Sequence, residues 1–279
     1  MFKTGSPRGL PVLITDDGLS SSVTHVRSAI RYYFLEHRHT VLLGVIIAAF
    51  LTRPVLGDNA ASHFTYSAGL LALLLLALYT IQIDELVGER GTLLAERKRR
   101  AAIGWLLFVF AMIERIATLT IPSPRMYLIG SATWLVFLGF ITWNELRAVL
   151  RQKTVTGETI SMSISVYLLI GMTFGLVYAL IDQFQAHAFS FPSLPASRTA
   201  FSPESQDSLL ATLVYYSFTT LTTIGYGDIT PLSLQARYVA VIEGITGQFY
   251  IAVLVARLVS LQMMGTTSTV EEKSGRRDL

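Results

Sequence analysis

Residues 219–231 read Thr-Thr-Leu-Thr-Thr-Ile-Gly-Tyr-Gly-Asp-Ile-Thr-Pro, a polar, glycine-bearing stretch set between an apolar helical segment and a second long apolar run. This places non-helical backbone at membrane depth, where it survives only if protein buries it or if it lines a watery path. A cation that leaves water needs oxygens in place of its hydration shell, and stacked main-chain carbonyls supply them without a full charge in the path. Gly225 and Gly227 suit that task, since turning successive carbonyls to one side calls for residues that take positive φ without steric cost.

The remainder of the chain sets this stretch in a bilayer. Of the 279 residues, 52% are hydrophobic and 15% charged, and the mean hydropathy is +0.51. A soluble domain has a different balance, and these values indicate a polytopic membrane protein. With no cysteine, disulfides, thiolate nucleophiles and Cys-based metal sites are excluded. The pI of about 9.2 raises the question of nucleic acid, but the basic residues fall at the ends of apolar runs and read as a topology signal. No short apolar run follows a basic start within the first 30 residues, so no cleavable signal peptide is expected.

Taken in order, residues 1–39 are mixed and polar, with Val23, Val26, Ile30 and Tyr33 at helical spacing, read as a cytoplasmic surface helix or a solvated tail. Six spans are expected at 40–56, 66–83, 101–120, 127–143, 163–181 and 236–263. The first is the weakest, because Arg53 and Pro54 shorten its apolar run below the ~20 residues that crossing needs. Gly171 and Gly175 in the fifth give a small-xxx-small face for close helix contact. Between the fifth and sixth spans, a Pro/Ser/Phe-rich loop precedes residues 209–221, too short to cross and read as a re-entrant helix. With the N-terminus inside, 17 of the 22 Lys and Arg fall on inner segments, which puts both termini in the cytoplasm and the Gly-Tyr-Gly loop at the outer face. The expected divisions are an N-terminal segment (1–39), a four-span domain (40–153), a two-span domain with the loop (154–264) and a cytoplasmic tail (265–279).

Thr223-Ile224-Gly225-Tyr226-Gly227 resembles the selectivity filter of the potassium channel family, whose consensus is Thr-Val-Gly-Tyr-Gly. The resemblance is strong over 163–262 and one of arrangement alone over the first four spans. It implies an all-α membrane protein of six transmembrane helices with a re-entrant pore helix, assembled as a homotetramer because one chain carries one filter copy. By the same resemblance, the carbonyls of Thr223, Ile224, Gly225 and Tyr226, with the Thr223 hydroxyl, hold K⁺ as the permeant ion, and no cofactor is implied. The Tyr226 ring is expected to pack on Tyr215 and Tyr216. Thr222 and Thr219 complete the filter support, Thr219 standing where some bacterial members carry Glu. Asp228 is expected at the outer mouth, concentrating cations or bonding to that support. Gly247 lies where the family often has its gating hinge, and also reads as a close-packing glycine. Gln248 is expected on the water-filled cavity, with Ile251, Val255 and Val259 as a hydrophobic constriction further in. Glu243, ionisable within a span, reads either as a gating and cavity residue or as a structural hydrogen bond behind the filter.

The fourth span lacks an Arg at every third position, so no working voltage sensor is expected, and Arg147 and Arg151 read as topology signals. Glu114 and Arg115 read as an intramembrane pair facing the bundle. His37 and His39 read as an interfacial basic patch, and His187 as a surface histidine. The tail after Met264 is short for a ligand-sensing domain. Gly225-Tyr226-Gly227-Asp228 also matches the Gly-x-Gly-Asp signature of intramembrane aspartyl proteases. Those enzymes need two carboxylates sharing a proton, each in a span, and this chain has no Tyr-Asp pair in an earlier span and no Pro-Ala-Leu, so it is not read as an enzyme. A weakly selective cation channel and a non-conducting regulatory subunit are the nearer alternatives. The expected location is the plasma (inner) membrane, with lipid and K⁺ as partners and no nucleic acid.

Overall fold

The computed structural model describes residues 37–56, 94–120, 123–152, 154–185, 187–191 and 203–275, with part of 65–79. Two compact units divide the chain after residue 38, and the described helices lie in the second, 39–279, apart from Arg38 at the start of the first of them. The expected surface helix before residue 37, the 192–202 part of the Pro/Ser/Phe-rich loop and much of the second span lie outside the described residues.

Six helices are described in full: α1 (Arg38–Leu56), α2 (Leu94–Thr120), α3 (Pro124–Arg151), α4 (Gly157–Phe184), α5 (Pro203–Leu221) and α6 (Leu234–Gly275). Four segments among the described residues are long and apolar enough to cross a membrane: Lys98–Thr118, Pro124–Arg151, Gly157–Phe184 and Leu234–Met263. The apolar part of α1, Arg38–Thr52, and that of α5, Ser208–Leu221, are shorter, as Arg53-Pro54 and the acidic start of α5 dictate.

Local chemistry fixes the helix starts. Ser123 caps α3 by accepting from the Met126 N–H at 3.3 Å, and Pro124 fills the first turn, where its missing N–H costs nothing. Thr156 and Thr159 cap α4 reciprocally, each side chain accepting from the other's backbone N–H at 3.3 Å, and Glu158 in the first turn faces the positive end of the helix dipole.

Two differences from the sequence reading concern element limits. A two-residue antiparallel pair joins β1 (Phe189–Ser190) to β2 (Thr230–Pro231), with Phe189 opposite Pro231, so the fold is not purely helical. The sixth helix continues to Gly275, past the expected tail boundary at 264, with no Pro in 265–275 to stop it.

One apolar cluster draws on nearly every helix: Leu42 and Ile46 of α1, Ala77 and Leu78, Ala111 of α2, Phe137 and Ile141 of α3, Leu169 and Met172 of α4, and Val214 of α5. The core is therefore continuous across residue 153. Phe50 of α1 meets Phe218 of α5 edge to face, with ring centroids 4.9 Å apart. The glycine face of α4 explains how α5 approaches. A Cβ at Gly171 would stand 2.7 Å from the Phe218 ring, and one at Gly175 would stand 2.6 Å from Val214 Cγ2. Only hydrogen fits at either position.

Polar groups at the helix ends also link helices. His39 is 2% exposed, not part of a surface patch: its Nδ1 lies 3.7 Å from Glu145 Oε2 and its backbone N–H donates to Glu158 Oε2 at 3.0 Å. Thr40 donates to Glu158 Oε1 at 2.5 Å, tying the start of α1 to the start of α4. Glu114 is buried against Gly130 of α3 and accepts from the Thr118 hydroxyl.

Candidate ion pathway

The 222–228 loop leaves the C-terminus of α5, whose last carbonyls carry the negative end of the helix dipole. Those carbonyls anchor the loop: the Thr223 N–H donates to Thr220 O and the Gly225 N–H to Thr219 O, each at 3.0 Å. Positive φ then recurs at every second residue, with 60° at Thr223, 55° at Gly225 and 78° at Gly227. For the two glycines this backbone is free of Cβ strain. For the β-branched Thr223 it is a true outlier, held in place by the Thr220 bond. Among the described residues, none of the carbonyls of Thr223, Ile224, Gly225 and Tyr226 accepts a hydrogen bond. The loop is exposed within the protomer, Ile224 at 54% and Tyr226 at 69%.

The support residues take different roles from one another. Asp228 accepts twice, from the Tyr215 hydroxyl at 2.9 Å and from the Ile229 N–H at 3.0 Å. Tyr216 turns the other way. Its ring packs edge to face on Tyr178 at 5.0 Å and Phe189 at 5.3 Å. Adjacent positions on a helix point about 100° apart, which separates Tyr215 from Tyr216, and among the described residues no ring contact joins Tyr226 to either within the chain. Thr219 acts through its carbonyl, its hydroxyl being bonded back to Tyr216 O at 2.8 Å. Thr222 closes the end of α5, its hydroxyl on Phe218 O at 2.5 Å.

On α6, Gln248 is exposed, and Ile251, Val255 and Val259 are 42%, 54% and 53% exposed. Their spacing puts them along one side of the helix. Gly247 is buried against the end of α5: a Cβ there would lie 2.5 Å from Leu221 O and 2.9 Å from Leu221 Cδ1.

Glu243 does not line a cavity. It is fully buried behind the loop, its Oε2 accepting from the Tyr178 hydroxyl of α4 at 2.5 Å and its Oε1 in contact with the Ser217 hydroxyl of α5. The helical register of α6 puts residue 243 on the face toward α4 and α5, opposite its exposed side. Sequence reasoning missed its partners Ser217 and Tyr178, as well as Tyr167, which donates to Leu221 O at 3.2 Å, and Tyr250, which donates to Ser163 O at 2.7 Å. Their only signal was a polar tip recurring within apolar helices.

Known proteins resemble this half of the chain. A family model described as "Ion channel" matches residues 164–263. Protein LctB of Bacillus caldotenax is 32% identical over 124 residues, which cover 44% of this chain and 87% of that protein. Protein LctB of Geobacillus stearothermophilus is 29% identical over the same shares. No solved structure matches the chain. The matched region contains α5, the Gly-Tyr-Gly loop and nearly all the apolar length of the two flanking helices, and the chain belongs to the ion channel family.

Proposed function

We propose that the protein is a potassium-selective channel that carries K⁺ passively down its gradient, as a homotetramer of six-span subunits with both termini in the cytoplasm of a plasma membrane. The observation that carries this reading is the loop itself. Its Thr-Ile-Gly-Tyr-Gly sequence has positive φ at alternate residues, and among the described residues the carbonyls of 223–226 have no hydrogen-bond partner. Four such loops around an axis would exchange water oxygens for peptide oxygens around a bare cation, and the C-termini of four α5 helices would add their partial negative charge.

Surface distribution supports the assembly. Only 11% of the Leu234–Met263 span is buried within the protomer, against 56% of Gly157–Phe184. A helix of that apolarity left uncovered on most sides fits one that faces neighbouring copies and a central cavity. Residues 251, 255 and 259 would narrow that cavity by dewetting. Arg147 stacks its guanidinium on Trp143 of its own helix, 4.7 Å from the ring centroid, in line with a channel whose fourth span carries no charge ladder.

Flux from proteoliposomes of the purified chain, with K⁺ and Na⁺ gradients in turn and Ba²⁺ as blocker, tests the proposal. K⁺ flux that Ba²⁺ blocks, with little Na⁺ flux, is expected. Equal permeability to the two ions would instead indicate a weakly selective cation channel.

A further inference from the structure

The contacts around Glu243 require more hydrogens than its partners own. The Ser217 hydroxyl stands 2.6 Å from Gly171 O and also touches Glu243 Oε1, while the Tyr178 hydroxyl stands 2.5 Å from Glu243 Oε2. A serine hydroxyl has one hydrogen to give, a tyrosine hydroxyl one, and a backbone carbonyl none. Gly171 O can only accept, so the Ser217 hydrogen is committed to it, and the Tyr178 hydrogen is committed to Oε2. The contact between Ser217 Oγ and Glu243 Oε1 then holds a hydrogen only if the carboxyl group carries it. Without that hydrogen, two oxygens would face each other lone pair to lone pair in a site where Ser217, Tyr178 and Glu243 are all fully buried.

We propose that Glu243 is a neutral carboxylic acid that positions the filter, donating to Ser217 and accepting from Tyr178 so as to clamp α5 between α4 and α6. The role rests on the potassium-channel reading above and extends it to a residue outside the loop. The clamp reaches the filter by a short path. Ser217 lies half a turn before Thr219, whose carbonyl holds the Gly225 N–H, so the height of α5 sets the height of Gly225. The titratable groups facing the carboxyl are Tyr178 and Tyr167 from α4 and Tyr216 from α5. No ion pair reaches it among the described residues. A carboxylate there would be a buried charge without a cation, which is far more costly than a hydrogen-bonded acid.

The full-length protein in liposomes tests this at neutral pH. The infrared spectrum of wild type should contain a protonated-acid carbonyl band that is absent from Glu243→Gln. Glu243→Gln, whose amide N–H₂ donates to Ser217 and whose oxygen accepts from Tyr178, should keep the K⁺ over Na⁺ flux ratio. Glu243→Ala, and Glu243→Asp if the alanine variant fails to fold, should lower that ratio about tenfold, the weight of one well-made buried hydrogen bond. A missing acid band in wild type would overturn the assignment. So would a Gln variant as unselective as the Ala or Asp variant, or an Ala variant as selective as wild type. A wild-type protein that passes K⁺ and Na⁺ equally would defeat the potassium reading alone, with the infrared comparison still deciding the state of Glu243.

Discussion

Gly247 and Gly244 sit one turn apart on α6, and an alanine at each should act in opposite directions. A Cβ at Gly247 would meet Leu221 O at 2.5 Å and Leu221 Cδ1 at 2.9 Å, whereas the nearest atom to a Cβ at Gly244 is Thr220 O at 4.0 Å. Leu221 O is backbone at the end of α5 and also accepts from Tyr167, so it cannot move aside as a side-chain tip would. Overpacking of this kind costs ~1–3 kcal/mol, and the backbone contact argues for the upper part of that range. Alanine in place of glycine within a helix returns ~1 kcal/mol at either position. Glycine 247→Ala should therefore lose about 1–2 kcal/mol net, and Gly244→Ala should gain up to about 1 kcal/mol. Fluorescence-detected thermal unfolding in detergent should rank the melting temperatures as Gly244→Ala, wild type, Gly247→Ala. A Gly247→Ala protein that melts with wild type and yet opens differently would refute the close-packing account and favour a hinge.

Two further outcomes bear on the loop. Gly225→Ala meets nothing within 4 Å but must hold φ at 55°, a left-handed conformation costing a side chain ~1–2 kcal/mol; the K⁺ over Na⁺ flux ratio in proteoliposomes should fall toward one without a steric defect. Tyr215→Phe removes the 2.9 Å bond to Asp228 at an exposed site. It should change thermal stability by no more than ~1 kcal/mol while altering Ba²⁺ block at the outer mouth.

What the sequence made legible was local. The Thr-Ile-Gly-Tyr-Gly stretch is contiguous, its glycines have a conformational reason to be there, and hydropathy alone outlines α2, α3, α4 and α6 because the bilayer imposes length on apolar runs. The first span read as weak for a reason that persists in the structure: its apolar part stops at Thr52. Element limits were less legible. The strand pair is two residues long on each side, too short for any period to register, and the extension of α6 to Gly275 runs through Thr and Ser residues that read as a polar tail.

The contacts that the sequence left open share a physical cause, which is that most of the partners are distant in sequence. His37-Arg38-His39 reads as a basic patch on charge pattern, yet His39 is buried against Glu145, 106 positions on, and Glu158, 119 positions on. Tyr215 and Tyr216 read as one aromatic pair, and the helix sends one to Asp228 and the other to Phe189. Glu243 is a different case, since the sequence leaves a cavity role and a structural hydrogen bond both open. Its position within an apolar span marks it as unusual, but whether it faces a cavity or a neighbouring helix depends on the rotation of α6 against α4 and α5. That rotation is set by Gly247, where the absence of a side chain lets α6 settle onto Leu221, and by the small face of α4 that brings Ser217 within reach. The glycine pair of α4, Gly171 and Gly175, and the distant Gly247 of α6 thus fix the depth at which α5 sits. Since α5 holds Gly225 through a single carbonyl, the geometry of the short loop is determined as much by these packing positions as by its own sequence.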